Sequence, residues 1–201
     1  MTVACEVWHS SCRRDAHGGE VTNMAHFLVE RVNSLQLNDS PLPWMRHDWA
    51  IGGLHNVGYA PASDLLLVVS HQGRGVFDCL SNRKLARDAE EGNVEDREFT
   101  SYWGIGVLEG QIIHTSGIWG GCLHHRRSGW ELELVSPNWP LSSIVLCPLG
   151  CGLYNEKNWQ QCMKVAPNGG EDDIVTYGFS DTGKSFIVAT SHTLQIFSLQ
   201  A

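Results

Sequence analysis

The chain contains no long hydrophobic run. Its longest apolar stretch, Leu65 to Val69, falls far short of the roughly 20 residues that a membrane-spanning helix needs. Basic charge is also scarce. Lys and Arg number 14 against 22 Asp and Glu, for a formal charge of −8. That balance argues against a nucleic-acid backbone or an anionic membrane as the main partner and is compatible with a basic protein partner. Residues 1–15 lack the basic start and apolar run of a secretory leader, so none is expected. The seven cysteines, an odd number scattered from Cys5 to Cys162, show no disulfide framework. They read as reduced thiols in a cytoplasmic protein.

Catalytic motifs are missing as well. There is no Gly-x-Ser-x-Gly elbow, and no spacing fixes a Cys, His or Asp beside another. Asp181-x-Gly183-Lys184-Ser185 lacks the upstream glycine of a phosphate loop and lies between strands, so it reads as a turn. Cys147-x3-Cys151, around Pro148 and Gly150, has no second pair to complete the four ligands of a zinc site. No cofactor and no metal are expected.

What the chain does contain is a repeat. Residues 57–78, VGYAPASDLLLVVSHQGRGVFD, align without gaps on residues 177–198, YGFSDTGKSFIVATSHTLQIFS. Gly58 falls on Gly178, Tyr59 on Phe179, Leu67 on Ile187, Val76 on Ile196 and Phe77 on Phe197. A partial third copy, residues 144–155, sets Gly150 on Gly73, Gly152 on Gly75 and Tyr154 on Phe77. Recurrence of one such pattern indicates an architecture built from copies of one sheet unit.

Local patterns support a mainly β chain. Leu65–Ser70 has the length and β-branched content of a buried strand, Gln72 to Gly75 reads as a turn, and Val76–Leu80 reads as the return. Gln111–Ser116 and Ile118–Leu123 also read as strands. Residues 130–135 alternate, placing Trp130, Leu132 and Leu134 on one face and Glu131 and Glu133 toward water. Trp119 and Trp130 are expected in the core. The exception is residues 22–35, where Met24, Phe27, Leu28, Val32 and Leu35 share one helical face and Thr22 or Asn23 can cap the start. Residues 1–48 are read as an N-terminal extension carrying this helix and 49–201 as the repeated β region, together one domain.

The last copy, from Phe179 through Ser180, Gly183 and Lys184 to Thr190 and then Leu194–Phe197, resembles a blade of the WD-repeat β-propellers. The resemblance implies a small or irregular propeller of antiparallel β units. No Gly-His opens a repeat, however, and Phe77-Asp78, Tyr154-Asn155 and Phe197-Ser198 stand where Trp-Asp is customary. Another antiparallel fold, a sandwich or barrel, is the alternative.

Function is read from loops. Residues 88–98 carry six acids and read as a solvated loop. Beside them stand Phe99, Tyr102 and Trp103. Acidic charge steers encounter with a basic partner and aromatics anchor it, so Glu90, Glu91, Glu95, Asp96, Glu98, Tyr102 and Trp103 are the candidate contact residues. The expected role is a non-catalytic protein-binding module, an inhibitor that masks a basic partner in the manner of bacterial immunity proteins. A hydrolase assembled from β-repeat loops and a structural subunit of a larger complex are the alternatives. The sequence leaves oligomeric state open. Thiol titration of the unfolded, unreduced protein is expected to find about seven thiols; a count near one would overturn the reduced, cytoplasmic reading.

Overall fold

The computed structural model describes residues 20–90, 92, 99–138, 141–165 and 174–199. The helix forms where the 3.6-residue period places it. Helix α1 spans Glu20–Ser34, so Thr22 and Asn23 lie inside its first turn. The strands are β1 (Trp44–Ala50), β2 (Leu54–Tyr59), β3 (Leu65–Ser70), β4 (Gly73–Asp78), β5 (Arg83–Asp88), β6 (Ser101–Trp103), β7 (Ile112–His114) and β8 (Ser116–Gly117). They continue with β9 (Arg126–Arg127), β10 (Trp130–Asn138), β11 (Leu141–Pro148), β12 (Met163–Val165), β13 (Ile174–Phe179), β14 (Ser185–Thr190) and β15 (Thr193–Leu199). They pair into three larger antiparallel sheets, ordered β5-β4-β3-β2-β8, β12-β11-β10-β9 and β1-β15-β14-β13, plus the hairpin β6-β7. The chain is thus mainly β with one helix. Its described sheets form neither a closed barrel nor a propeller ring.

The repeat holds at the level of individual cross-strand pairs. In the first copy Leu66 faces Phe77, Leu67 faces Val76 and Val68 faces Gly75. In the last copy the corresponding pairs are Phe186 with Phe197, Ile187 with Ile196 and Val188 with Gln195. Each copy even carries a register shift at the same place, between Leu54 and Asn56 and between Ile174 and Thr176. A one-residue slip would turn every apolar side chain to the wrong face, so a buried strand holds its register tightly. The copies differ in their fourth strand. The first uses β5, the next in the chain. The last is completed by β1, with Trp44 opposite Leu199 and Ala50 opposite Thr193. The β region therefore begins at Trp44, before the expected boundary at 49, and Trp44 is buried among Trp130, Phe179 and Phe186.

The third copy diverges. Residues Ile144–Cys147 lie on β11, matching Leu67–Ser70. The expected return at Gly152 to Asn155 is a turn, and Tyr154 is 66% exposed where Phe77 and Phe197 are buried. The cause is a second core. Cys147, Cys151, Leu153 and Cys162 pack beneath Val32 of α1, so the chain leaves the sheet to fill that space. It returns only at β12, where Val165 pairs with Ile144. Helix α1 thereby covers the face of β10-β11 that alternation assigned to water. Glu133 is half-buried there, and Leu134 is 46% exposed instead of sharing the core with Leu132. Residues 118–119 form a turn in place of the expected strand, and Trp119 is 55% exposed.

The first and last copies are joined through their turns. Asp64, buried in the first copy, accepts hydrogen bonds from Ser180, Thr182 and Ser185 of the last, each at 2.7 Å. Asp181 of the last copy answers by accepting the Ala62 backbone N–H at 2.9 Å. Tyr59 and Cys79 border this network, and burial pushes the Cys79 thiol up to about 12.

Two outcomes follow from this packing. Phe77→Ala and Phe197→Ala are each expected to cost roughly 3–5 kcal/mol in urea unfolding. Tyr154→Ala, at the edge of Phe27, should cost about 1 kcal/mol or less. Equal losses at all three positions would mean that Tyr154 is core. The second outcome concerns acid. The Ala62 N–H, and then His124, hold the Asp181 carboxyl below its ordinary value. A lowered folded pKa stabilises the fold above the unfolded value, near 4, and that contribution is lost as pH falls through the folded value. Asp181→Asn should therefore flatten the fall of Tm below about pH 4. An unchanged slope would remove Asp181 from the acid response.

Candidate functional site

Arg74 organises the region that carries the predicted contact residues. It lies on β4, in what the sequence alone suggests is a turn because glycine stands on both sides. The strand register sets it opposite Asp88 at the end of β5. Arg74 is buried and spends its guanidinium on three acceptors. Nη2 donates to Asp88 Oδ2 at 2.6 Å, Nε to the Glu90 carbonyl at 3.0 Å and Nη1 to the Trp103 carbonyl at 2.6 Å. One side chain thus ties the start of the acidic segment to the strand that follows it. The Trp103 N–H also donates to the Gly92 carbonyl at 3.2 Å. Gly92 has φ +58°, and a Cβ there would sit 2.2 Å from the Arg74 guanidinium carbon, so the approach requires glycine. The Glu90 backbone N–H, and then Arg74, hold the Asp88 carboxyl below its usual range.

The predicted contact residues separate. Glu90 is exposed. Glu91, Glu95, Asp96 and Glu98 lie outside the described residues. Tyr102 is 2% exposed and packs with Leu67, Val76 and Ile113. It serves the core and offers no contact face, because strand alternation turns it inward while its neighbour Trp103 turns outward. Trp103 is 43% exposed and sits opposite Ile112, also exposed. Phe99 and Trp119, both exposed, meet with ring centroids 5.0 Å apart. Residues 99–119 thus place Phe99, Trp103, Ile112 and Trp119 in solvent, directly after the acidic run in sequence. Trp119 had no sequence signal as a surface residue, since two glycines after an apolar pair read as a strand end. Of the other tryptophans, Trp49 is half-buried and donates to Asn82 Oδ1, and Trp159 is half-buried near Arg31. Trp139 lies outside the described residues.

Two further groupings bear on chemistry. His124 Nε2 lies 2.7 Å from Asp181 Oδ1, with Arg127 beside both. The pair is exposed, and among the described residues neither the imidazole nor the carboxylate hydrogen-bonds a hydroxyl or thiol that it could activate. The His124 carbonyl accepts from the Phe179 N–H, so the residue docks its loop onto the last copy. The second grouping is the thiols under α1. Cys162 Sγ donates to the Cys151 carbonyl, and Cys147 Sγ lies 3.8 Å from Glu133 Oε1. Its hydrogen bond with Cys162, and then burial, raise the Cys147 thiol. Burial, and then Glu131, raise the Glu133 carboxyl. Both shifts favour the neutral forms of Cys147 and Glu133, while the hydrogen bond with Cys147 lowers the Cys162 thiol. Among the described residues no three His, Cys, Asp or Glu side chains converge on a point where a metal could sit, and no helix is long and apolar enough to cross a membrane. No protein-family model matches the chain, and no curated protein matches it significantly.

Proposed function

We propose that the protein is a non-catalytic, cytosolic binding module that masks a basic protein partner. The observation that carries this reading is the Arg74 clasp. It ties Asp88 and Glu90, which begin the acidic run of the sequence, to the outward-facing Trp103. Charge at the segment accelerates encounter, and an aromatic that loses water on docking slows dissociation. Exposed Phe99, Ile112 and Trp119 extend the apolar area, in keeping with the tendency of such patches to mark contact surfaces. Blade-like repeats of the WD type commonly serve as scaffolds for binding loops, and the repeat here supplies a rigid frame beneath the segment.

The test starts from affinity capture of the native protein from its own cell, with identification of the protein that accompanies it. Neutralising Glu90, Glu91, Glu95, Asp96 and Glu98 together should leave Tm nearly unchanged, since surface charges contribute little to stability. It should lower the association rate with the captured partner by on the order of tenfold at low salt and flatten its salt dependence. Trp103→Ala should instead raise the dissociation rate by on the order of tenfold or more. An unchanged on-rate in the five-fold variant would reduce the segment to a solvated connector.

A further inference from the structure

The first repeat sheet carries two cations, Lys84 and Arg87, that form no ion pair among the described residues. Lys84 and Arg87 are three residues apart on β5, and in a regular strand they would point to opposite faces. The register is not regular. Val76 faces Ala86 and Phe77 faces Lys84, so Leu85 is an extra residue with no partner. Such a bulge re-aims the side chains that follow it. It sets Lys84 opposite Phe77 and Arg87 opposite Gly75, and both cations then lie on one face. Lys84 Nζ stands 5.5 Å from the centre of the Phe77 ring. Between them Gly75 contributes no side chain. A Cβ there would press within 3.3 Å of both Lys84 and Phe77. The result is a hollow of about 70 Å³, closed on its far side by Ile51 and Gly52 of the link between β1 and β2.

The last copy shows what this position looks like when it serves only the fold. Gln195, buried, fills the place of Gly75. Arg46 on β1 occupies the place of Lys84, opposite Phe197 and 6.0 Å from its ring. The place of Arg87, opposite Gln195, holds Asp48, which binds Arg46 at 2.7 Å while Asp39 binds it at 2.9 Å. The charge there is closed within the protein. In the first copy the acid is replaced by a second base and the filling side chain by glycine. Among the described residues neither Lys84 nor Arg87 has a carboxylate within ion-pair distance. Burial, and then Arg87, hold the Lys84 ammonium below its ordinary value, a cost that a bound anion would reverse.

We propose that this hollow binds a small tetrahedral oxyanion, either free phosphate or the phosphate group of a small phosphomonoester. Two cations match a dianion better than a single carboxylate. The Arg87 guanidinium offers paired donors to two oxygens, and Lys84 adds a point charge. The free volume takes a few waters or one such group but no nucleotide.

The full chain would be titrated calorimetrically at constant low ionic strength in chloride, first with inorganic phosphate and then with phenyl phosphate. Saturable one-site binding, half-complete below about 1 mM, is expected for at least one of them. Tighter binding of phenyl phosphate would assign the site to the phosphate of a larger ligand, and tighter binding of inorganic phosphate to the free ion. Lys84→Gln and Arg87→Gln should each weaken binding at least tenfold. Arg83→Gln, on the same strand but not lining the hollow, should change it less than twofold. Gly75→Leu should abolish it by filling the space. Absence of saturable binding by both probes overturns the proposal. So does an equal loss in Arg83→Gln and Arg87→Gln, which would signify general charge attraction.

Discussion

The contact on which the arrangement of the two well-formed copies depends is the one between Asp64 and three hydroxyls of the last copy. A carboxylate removed from water is costly unless its oxygens are fully engaged. Here Ser180, Thr182 and Ser185 engage both of them. Hydrogen bonds to a charged oxygen are short and directional, so they set position as well as energy. Hydrophobic packing between Leu66 and Val68 of one copy and Ile187 and Ala189 of the other tolerates small displacements. The hydroxyl cage does not. The reciprocal bond from Ala62 to Asp181 gives the junction a second, exposed point of attachment. The two sheets are thus fixed relative to one another before any surface loop is considered.

That fixed frame gives the acidic segment its meaning. Arg74 can reach Asp88, Glu90 and Trp103 together because β4 and β5 are held in register beneath it. An arginine suits this position. Its planar fork satisfies acceptors in three directions, which a lysine ammonium on a flexible stem does less well. The same strand pair, through its bulge, presents Lys84 and Arg87 on the other face.

Much of the fold was legible in the sequence, for reasons that particular residues make plain. The apolar spacing of Leu28, Val32 and Leu35 revealed the helix, and the run Leu65–Ser70 revealed a strand whose bounds agree with the structure. The gap-free alignment of 57–78 on 177–198 held down to the pairing of Phe77 and Phe197 with their neighbours. What failed depended on tertiary context. The return strand at Tyr154 was lost because α1 offers the chain a competing apolar surface. Glu133 was assigned to water because alternation cannot show that a helix covers the outer face. Of the site, the acids and Trp103 could be singled out from composition. Tyr102 could not be separated from Trp103 without the hairpin register. Arg74 was hidden by its flanking glycines, and the common face of Lys84 and Arg87 arises from a bulge that leaves no mark in the sequence.

The strand exchange at the last sheet has a temporal side. Strand β1 is synthesised well before its partner β15. Until Leu199 is available to Trp44, the final sheet lacks its fourth strand and β1 has no strand to pair with. The first copy needs no such wait, since β2 to β5 follow one another in the chain. Assembly should therefore run from the first copy outward, with closure of the last sheet as the slow, long-range step. During that interval the unpaired β1 is the part of the nascent chain most exposed to misassociation.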